Sequence, residues 1–200
     1  MHAARSIAIY QRIGDRVNLE KMRGNLAFIY VQTRQFRAAL DVGVPAYAFF
    51  LSIRDPHYAA GTGANLAEAS YELGDFESAA RYAAEVLELG DRFAAPYVRF
   101  TLGQIDLAQH NPPAAIANFS TSMHIAQQND DPFMVAYAQR SLGQAQLAAG
   151  AAATARQQIE SALALFRQLD IPGEISATEQ LLDEMSSRRN GDSGASVSHT

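Results

Sequence analysis

Leu66, Ala67, Ser70, Tyr71 and Leu73 fall three and four residues apart, and Gly74 and Asp75 interrupt them. Phe76, Ala79, Ala80, Ala83 and Val86 then resume the same spacing. Apolar positions at that interval line one face of a helix, so the segment predicts two amphipathic helices joined by a short turn. The unit recurs. NLAFIYVQTRQFRAALDVGVPA from 25, NLAEASYELGDFESAARYAAEV from 65, TLGQIDLAQHNPPAAIANFSTS from 101 and SLGQAQLAAGAAATARQQIESA from 141 share one phase without gaps.

Within that phase a small residue follows each leading leucine, at Ala27, Ala67, Gly103 and Gly143. A second small residue comes twelve positions later, at Ala39, Ala79, Ala115 and Ala155. Helices cross closely only where side chains are small, so the two series predict a close crossing inside each pair. Pro56, Pro96, Pro132 and Pro172 repeat at the same intervals of 40, 36 and 40 residues. A proline lacks an N–H and disfavours helix just before it, so it separates one helix from the next. The short interval lies between Pro96 and Gly103, and it predicts that this unit has lost one turn from its first helix. In HNPPAAI, Asn111 reads as an N-cap, with Pro112 and Pro113 in the first turn of the following helix, where no intrahelical N–H bond is lost.

The pattern resembles the tetratricopeptide repeat (TPR) over about residues 20–172, with LGDFESAARY (73–82) as the nearest match. The shared marks are a small residue in the first helix, a Gly-Asp-like turn, an aromatic opening the second helix and a small residue facing back. The family's early tryptophan is missing throughout, its first-helix tyrosine survives in phase only as Tyr30, and the closing proline comes about five residues late. Periods near 40, with IAIYQRIGDR (7–16) and LALFRQLDIP (163–172), look like the repeat arms of large bacterial signalling ATPases and transcription regulators of the maltose-regulator type. The resemblance implies an all-α fold: a right-handed α-solenoid of about four repeats, at about 20–56, 57–96, 96–132 and 133–172. Residues 3–14 align with the second half of a repeat, which fits a fragment of a longer protein, a misassigned start or a cap. Residues 174–187 read as a polar-faced capping helix closing a solenoid of 1–185, and 188–200 as a disordered tail.

Composition narrows the function. The chain has 200 residues, 48% of them hydrophobic and 18% charged, which is ordinary for a globular protein. A net charge of −5 argues against nucleic acid, because binding phosphates needs a basic patch. Lys21 is the single lysine among 16 basic residues, which with the alanine-rich composition points to a GC-rich bacterial source. The absence of cysteine excludes disulfides, thiolate nucleophiles and Cys-based metal sites. No run approaches a membrane span and the start is not a signal peptide, so the expected location is cytoplasmic, with no membrane partner. The five histidines show no metal-ligand spacing, and His57 and His110 read as exposed turn residues. GTGANLAE (61–68) lacks the preceding strand and the terminal GK[ST] of a phosphate loop and reads as a helix start. Glu68, Glu72 and Asp75 are expected on an exposed face or at a cap. No catalytic grouping, metal site or cofactor is expected.

What the repeats offer is a surface. First helices of such hairpins line a concave groove suited to a peptide or partner helix. With the leading leucines in the core, the flanking positions approach that groove: Asn25 and Phe28, Asn65 and Glu68, Thr101 and Gln104, Ser141 and Gln144. One turn earlier it adds Lys21, Tyr97, Phe100, Tyr137 and Arg140. Asparagine and glutamine bond a peptide backbone from both ends of the amide, and tyrosine and arginine are enriched at binding hot spots. The repeated NLA of 25–27 and 65–67 resembles peptide-binding repeats that hold the ligand backbone with asparagines. The leading expectation is a non-catalytic scaffold that binds a protein or peptide. The alternatives are an effector-sensing arm of a larger signalling protein, and self-association through Ile7, Ile9, Tyr10 and Ile13 of the half-repeat.

Overall fold

A computed structural model describes the backbone of residues 2–195 and the side chains of residues 7–187. Among the described residues there are ten α-helices and no strands. They are α1 (His2–Ile13), α2 (Arg16–Gln32), α3 (Phe36–Ser52), α4 (Pro56–Glu72), α5 (Phe76–Leu89), α6 (Ala95–Ala108), α7 (Pro112–Gln128), α8 (Pro132–Ala148), α9 (Ala152–Gln168) and α10 (Pro172–Ala195).

One kind of joint links almost every pair. A single residue turns left-handed after each helix: Gly14, Arg34, Arg54, Gly74, Gly90, His110, Asp130, Gly150 and Asp170. At most of these joints the next amide reaches back to a carbonyl five residues earlier, as Asp55 N–H does to Phe50 at 3.0 Å and Asp75 N–H to Ser70 at 3.0 Å. This closes the frayed carbonyls of the ending helix. The same residue then caps the next helix, its carboxylate accepting from Tyr58 N–H (Asp55, 3.2 Å), Ser78 N–H (Asp75, 3.0 Å) or Met134 N–H (Asp131, 3.0 Å). Asn111 does so for α7, and Pro112 and Pro113 occupy its first turn. Pro56, Pro132 and Pro172 each open a helix.

The left-handed residues lie 20 apart except between Gly74 and Gly90. The missing turn is therefore in α5, which ends early at Gly90, and not in the first helix of the third unit. That helix, α6, is also 14 residues long, against 17 in the first helices α4 and α8, because it starts late. Asp91 holds the intervening turn, its carboxylate accepting from the N–H groups of Phe93 and Ala94 at 2.9 Å each. Two further expectations change. GTGANLAE lies inside α4, which begins at Pro56, so it is not a helix start. And α10 continues to Ala195, beyond the end expected at 187, through a stretch without proline to stop it. Residues 196–200 of the expected tail lie outside the described residues.

The chain forms two compact units, one up to Ile105 and the other from Asp106. In the first, Phe50, Leu66, Val86 and Val98 are buried between α3, α4, α5 and α6, and Phe50 stacks on Tyr58 at 5.1 Å. In the second, Phe119, Ile159 and Phe166 are fully buried. Each such side chain contributes about 1.5–3 kcal/mol by leaving water. The small residues sit where the crossings are closest: Ala27, Ala39, Ala67, Ala79, Ala115 and Ala155 are fully buried. A methyl group at Gly143 would lie 2.9 Å from the Ala155 carbonyl oxygen and 2.6 Å from Ile159.

Candidate functional site

Successive first helices pack side by side in the first unit. The Lys21 ammonium of α2 lies over the Tyr58 ring of α4, 4.4 Å from its centroid. One turn on, the missing side chain of Gly24 makes room for Thr62, whose hydroxyl would be 2.9 Å from an added methyl group. Past α4 the fit opens. Gly61 faces empty space, with nothing within 4 Å of where its side chain would begin. The result is a cavity of about 440 Å³ between α2, α4, the Asp91 turn and the start of α6. Its rim is aromatic: Phe28, Phe93 and Tyr97 are 52%, 56% and 45% exposed. Asn25 and Asn65 add two amides, which make no hydrogen bond among the described residues.

Ionisable groups of both signs face this space, and most are already engaged. Burial alone would raise the Asp91 carboxyl, but hydrogen bonds from His57 and from the Ala94 and Phe93 amides hold it below its ordinary value. His57 Nδ1 is 3.0 Å from that carboxylate. Lys21 is held on Tyr58, a cation–π contact of roughly 0.5–1 kcal/mol at an exposed site. Glu68 differs. It forms no hydrogen bond or ion pair among the described residues, and burial together with the charge of Glu72 pushes its carboxyl up to about 7. Glu72 is itself paired with Arg34 at 3.3 Å.

Neither a family model nor a curated protein sequence matches the chain. Solved structures do. BtubC from P. vanneervenii is similar over 95% of this chain and 90% of its own, with a TM-score of 0.68 and 17% identity. The nearly identical TPR-like repeats of a kinesin-light-chain-type protein from Podosopora anserina match over 88% and 89%, with a TM-score of 0.65 and 16% identity. The chain has a TPR-like fold. A signal transduction ATPase with numerous domains from Pyrococcus horikoshii, which carries a tetratricopeptide repeat sensor, also matches, with a TM-score of 0.64 and 16% identity. That match covers 81% of this chain and 26% of the ATPase.

On this TPR-like frame the residues expected in one groove separate into two groups. Asn25, Phe28, Asn65, Glu68 and Tyr97 line the cavity of the first unit. Phe100 and Gln104 come next on α6, half-buried and outside the cavity lining. In the second unit Tyr137 and Arg140 of α8 turn to α10. Tyr137 Oη donates to Glu174 Oε1 at 3.1 Å, and Arg140 lies 2.6 Å from Glu174 Oε2 and donates to Thr178 Oγ1 at 3.2 Å. The Arg140 guanidinium also covers the Phe166 ring at 5.1 Å. Gln144, the next turn of α8, is exposed. Glu68 is not on the open face that its sequence position suggests; it is half-buried, because α2 and the start of α6 flank α4 there.

Tyr58, Gly61, Thr62, Asp91 and Phe93 also line the site, and the sequence reading does not include them. Counting from Asn65 toward the start of its helix by three, four and seven finds Thr62, Gly61 and Tyr58, and the Gly90-Asp91 pair repeats the Gly74-Asp75 turn signal. His57 stands at the second position of α4 and His110 at a left-handed joint. The first helix, α1, leaves Ile9 and Ile13 exposed. Among the described residues no cluster of three metal-ligating side chains occurs, and no helix is long and apolar enough to cross a membrane.

Proposed function

We propose that the chain is a non-catalytic, cytoplasmic interaction module that holds an extended peptide or protein segment against α2, α4 and the start of α6. One observation supports this above the others. A cavity of about 440 Å³ combines two amides, Asn25 and Asn65, with exposed aromatic faces on neighbouring helices. Amides pair with a peptide backbone at both ends, and aromatic walls take its side chains. Panning a displayed peptide library against the purified chain tests it. Selected peptides are expected to lose at least about tenfold in affinity on Gly61→Phe, which fills the cavity from a position with open space, and on Asn65→Ala. Failure to select any peptide, or selected peptides indifferent to both changes, would overturn the reading.

A second reading, a sensing arm within a larger signalling protein, draws on the likeness to the repeat sensor of the archaeal ATPase. It uses the same cavity, with a small effector as occupant.

A further inference from the structure

The repeat register sets three junctions between successive first helices side by side. Between α8 and α10, Tyr137 reaches Glu174 and Arg140 reaches Thr178. Between α2 and α4, Lys21 lies on Tyr58 and Gly24 meets Thr62, the same four places in the repeat. Between α4 and α6 those places hold Gly61, Ala64, Ala94 and Val98. The side chains that meet across α8–α10 are thus replaced by smaller ones at α4–α6, and three of these, Gly61, Ala64 and Ala94, line the cavity. At α8–α10 the place is taken by an arginine over two aromatic rings with its charge on a carboxylate.

We propose that the cavity of the first unit takes a basic side chain of the bound segment, arginine or lysine, with its cation against the Glu68 carboxylate and its stem against Phe28 and Tyr97. This rests on the peptide-holding reading above and names the chemistry of the occupant. Charge complementarity carries it. Asp91 already accepts from His57 and two amides, whereas Glu68 has no donor. Lys21 cannot supply one. It sits at Tyr58, ten residues before Glu68 on α4, which is roughly 15 Å along the helix at 1.5 Å per residue.

The other charges around Glu68 are accounted for. Glu72, on the same helix, is paired with Arg34 after α2, and Arg81 and Glu85 of α5 pair with each other at 3.2 Å. His57 and Asp91 bond each other before α6. An incoming cation therefore meets an ionised Glu68 only after its proton leaves. With that carboxyl pushed up to about 7, the ionised fraction rises about tenfold from pH 6 to pH 8, and so should affinity.

The test titrates the full chain with N-acetyl-arginine methylamide, followed by NMR at the Gly61 and Asn65 amides, at fixed salt. Saturable shifts are expected, about tenfold tighter at pH 8 than at pH 6. The neutral isostere N-acetyl-citrulline methylamide should bind at least tenfold more weakly. Glu68→Gln should remove both the preference and the pH slope, while His124→Gln, an exposed histidine of α7 outside the cavity lining, keeps them. Equal binding of the citrulline compound, an unchanged slope in Glu68→Gln, or no shifts at all would overturn the proposal. Library peptides that lack basic residues yet still depend on Gly61 would overturn it and leave the peptide-holding reading standing.

Discussion

Two junctions of this chain share one repeat register and differ at four positions. In the second unit, Tyr137 and Arg140 bridge α8 to Glu174 and Thr178 of α10. In the first, Gly61 and Ala64 occupy the same repeat positions on α4, and a cavity opens beside α6. Regular repeats set where helices run, but the side chains at these four places differ between a bridged junction and one beside a cavity. At α8–α10 the position serves as a clasp. The interior repeat leaves it vacant.

The contrast can be broken most heavily from beneath. Phe166 is fully buried and supports both the Tyr137 ring, at 5.2 Å, and the Arg140 guanidinium. Phe166→Ala is expected to cost about 3–5 kcal/mol and to release α10, read as a lower urea midpoint and faster amide exchange in α10. An unchanged midpoint would mean the clasp is not held from below.

A smaller effect concerns the junction beside the cavity. Glu68 holds its proton more tightly folded, at about 7, than at its ordinary 4.5. The stability this brings is fully present below pH 4.5 and is lost as pH rises toward 7, where the carboxyl must ionise half-buried. Relative to Glu68→Gln, wild type should lose about 1–2 kcal/mol across that window, the open mouth of the cavity limiting the penalty. Parallel urea curves of both proteins from pH 4 to 8 would show it, and identical pH profiles would count against the half-buried position of Glu68.

The smallest change runs the other way. Gly61→Ala adds a methyl group into open space within a helix, so it should stabilise by about 0.5–1 kcal/mol. Destabilisation on thermal melting would show that the backbone there is not free to accept a side chain.

Much of the fold is readable from sequence because its signals are local. Asn111 with Pro112 and Pro113, the paired alanines and the opening prolines each act within one joint or one crossing, and spacing alone exposes them. The lost turn is easily misplaced because Pro96 aligns with the prolines that start other helices, whereas here it is the second residue of α6. Gly90 and Asp91 hold the better signal. The cavity is half legible. Asn25, Phe28, Asn65, Glu68 and Tyr97 come from one repeat register, but nothing local tells that Tyr137 and Arg140 find partners on α10. Nor does periodicity show that Glu68 is half-buried, since that depends on three helices meeting around one position.

The even placement of left-handed joints has a consequence for how such a chain changes over generations. Among the described residues eight intervals separate nine joints, and the single exception is shorter by four residues, inside a helix rather than at a joint. Removing four residues rotates the downstream helix by only about 40°, since each residue contributes about 100°. Genes for chains of this kind are therefore free to gain or lose DNA in steps of one helical turn while the corners stay fixed. Length variants should differ by three or four codons within helices, and seldom by one.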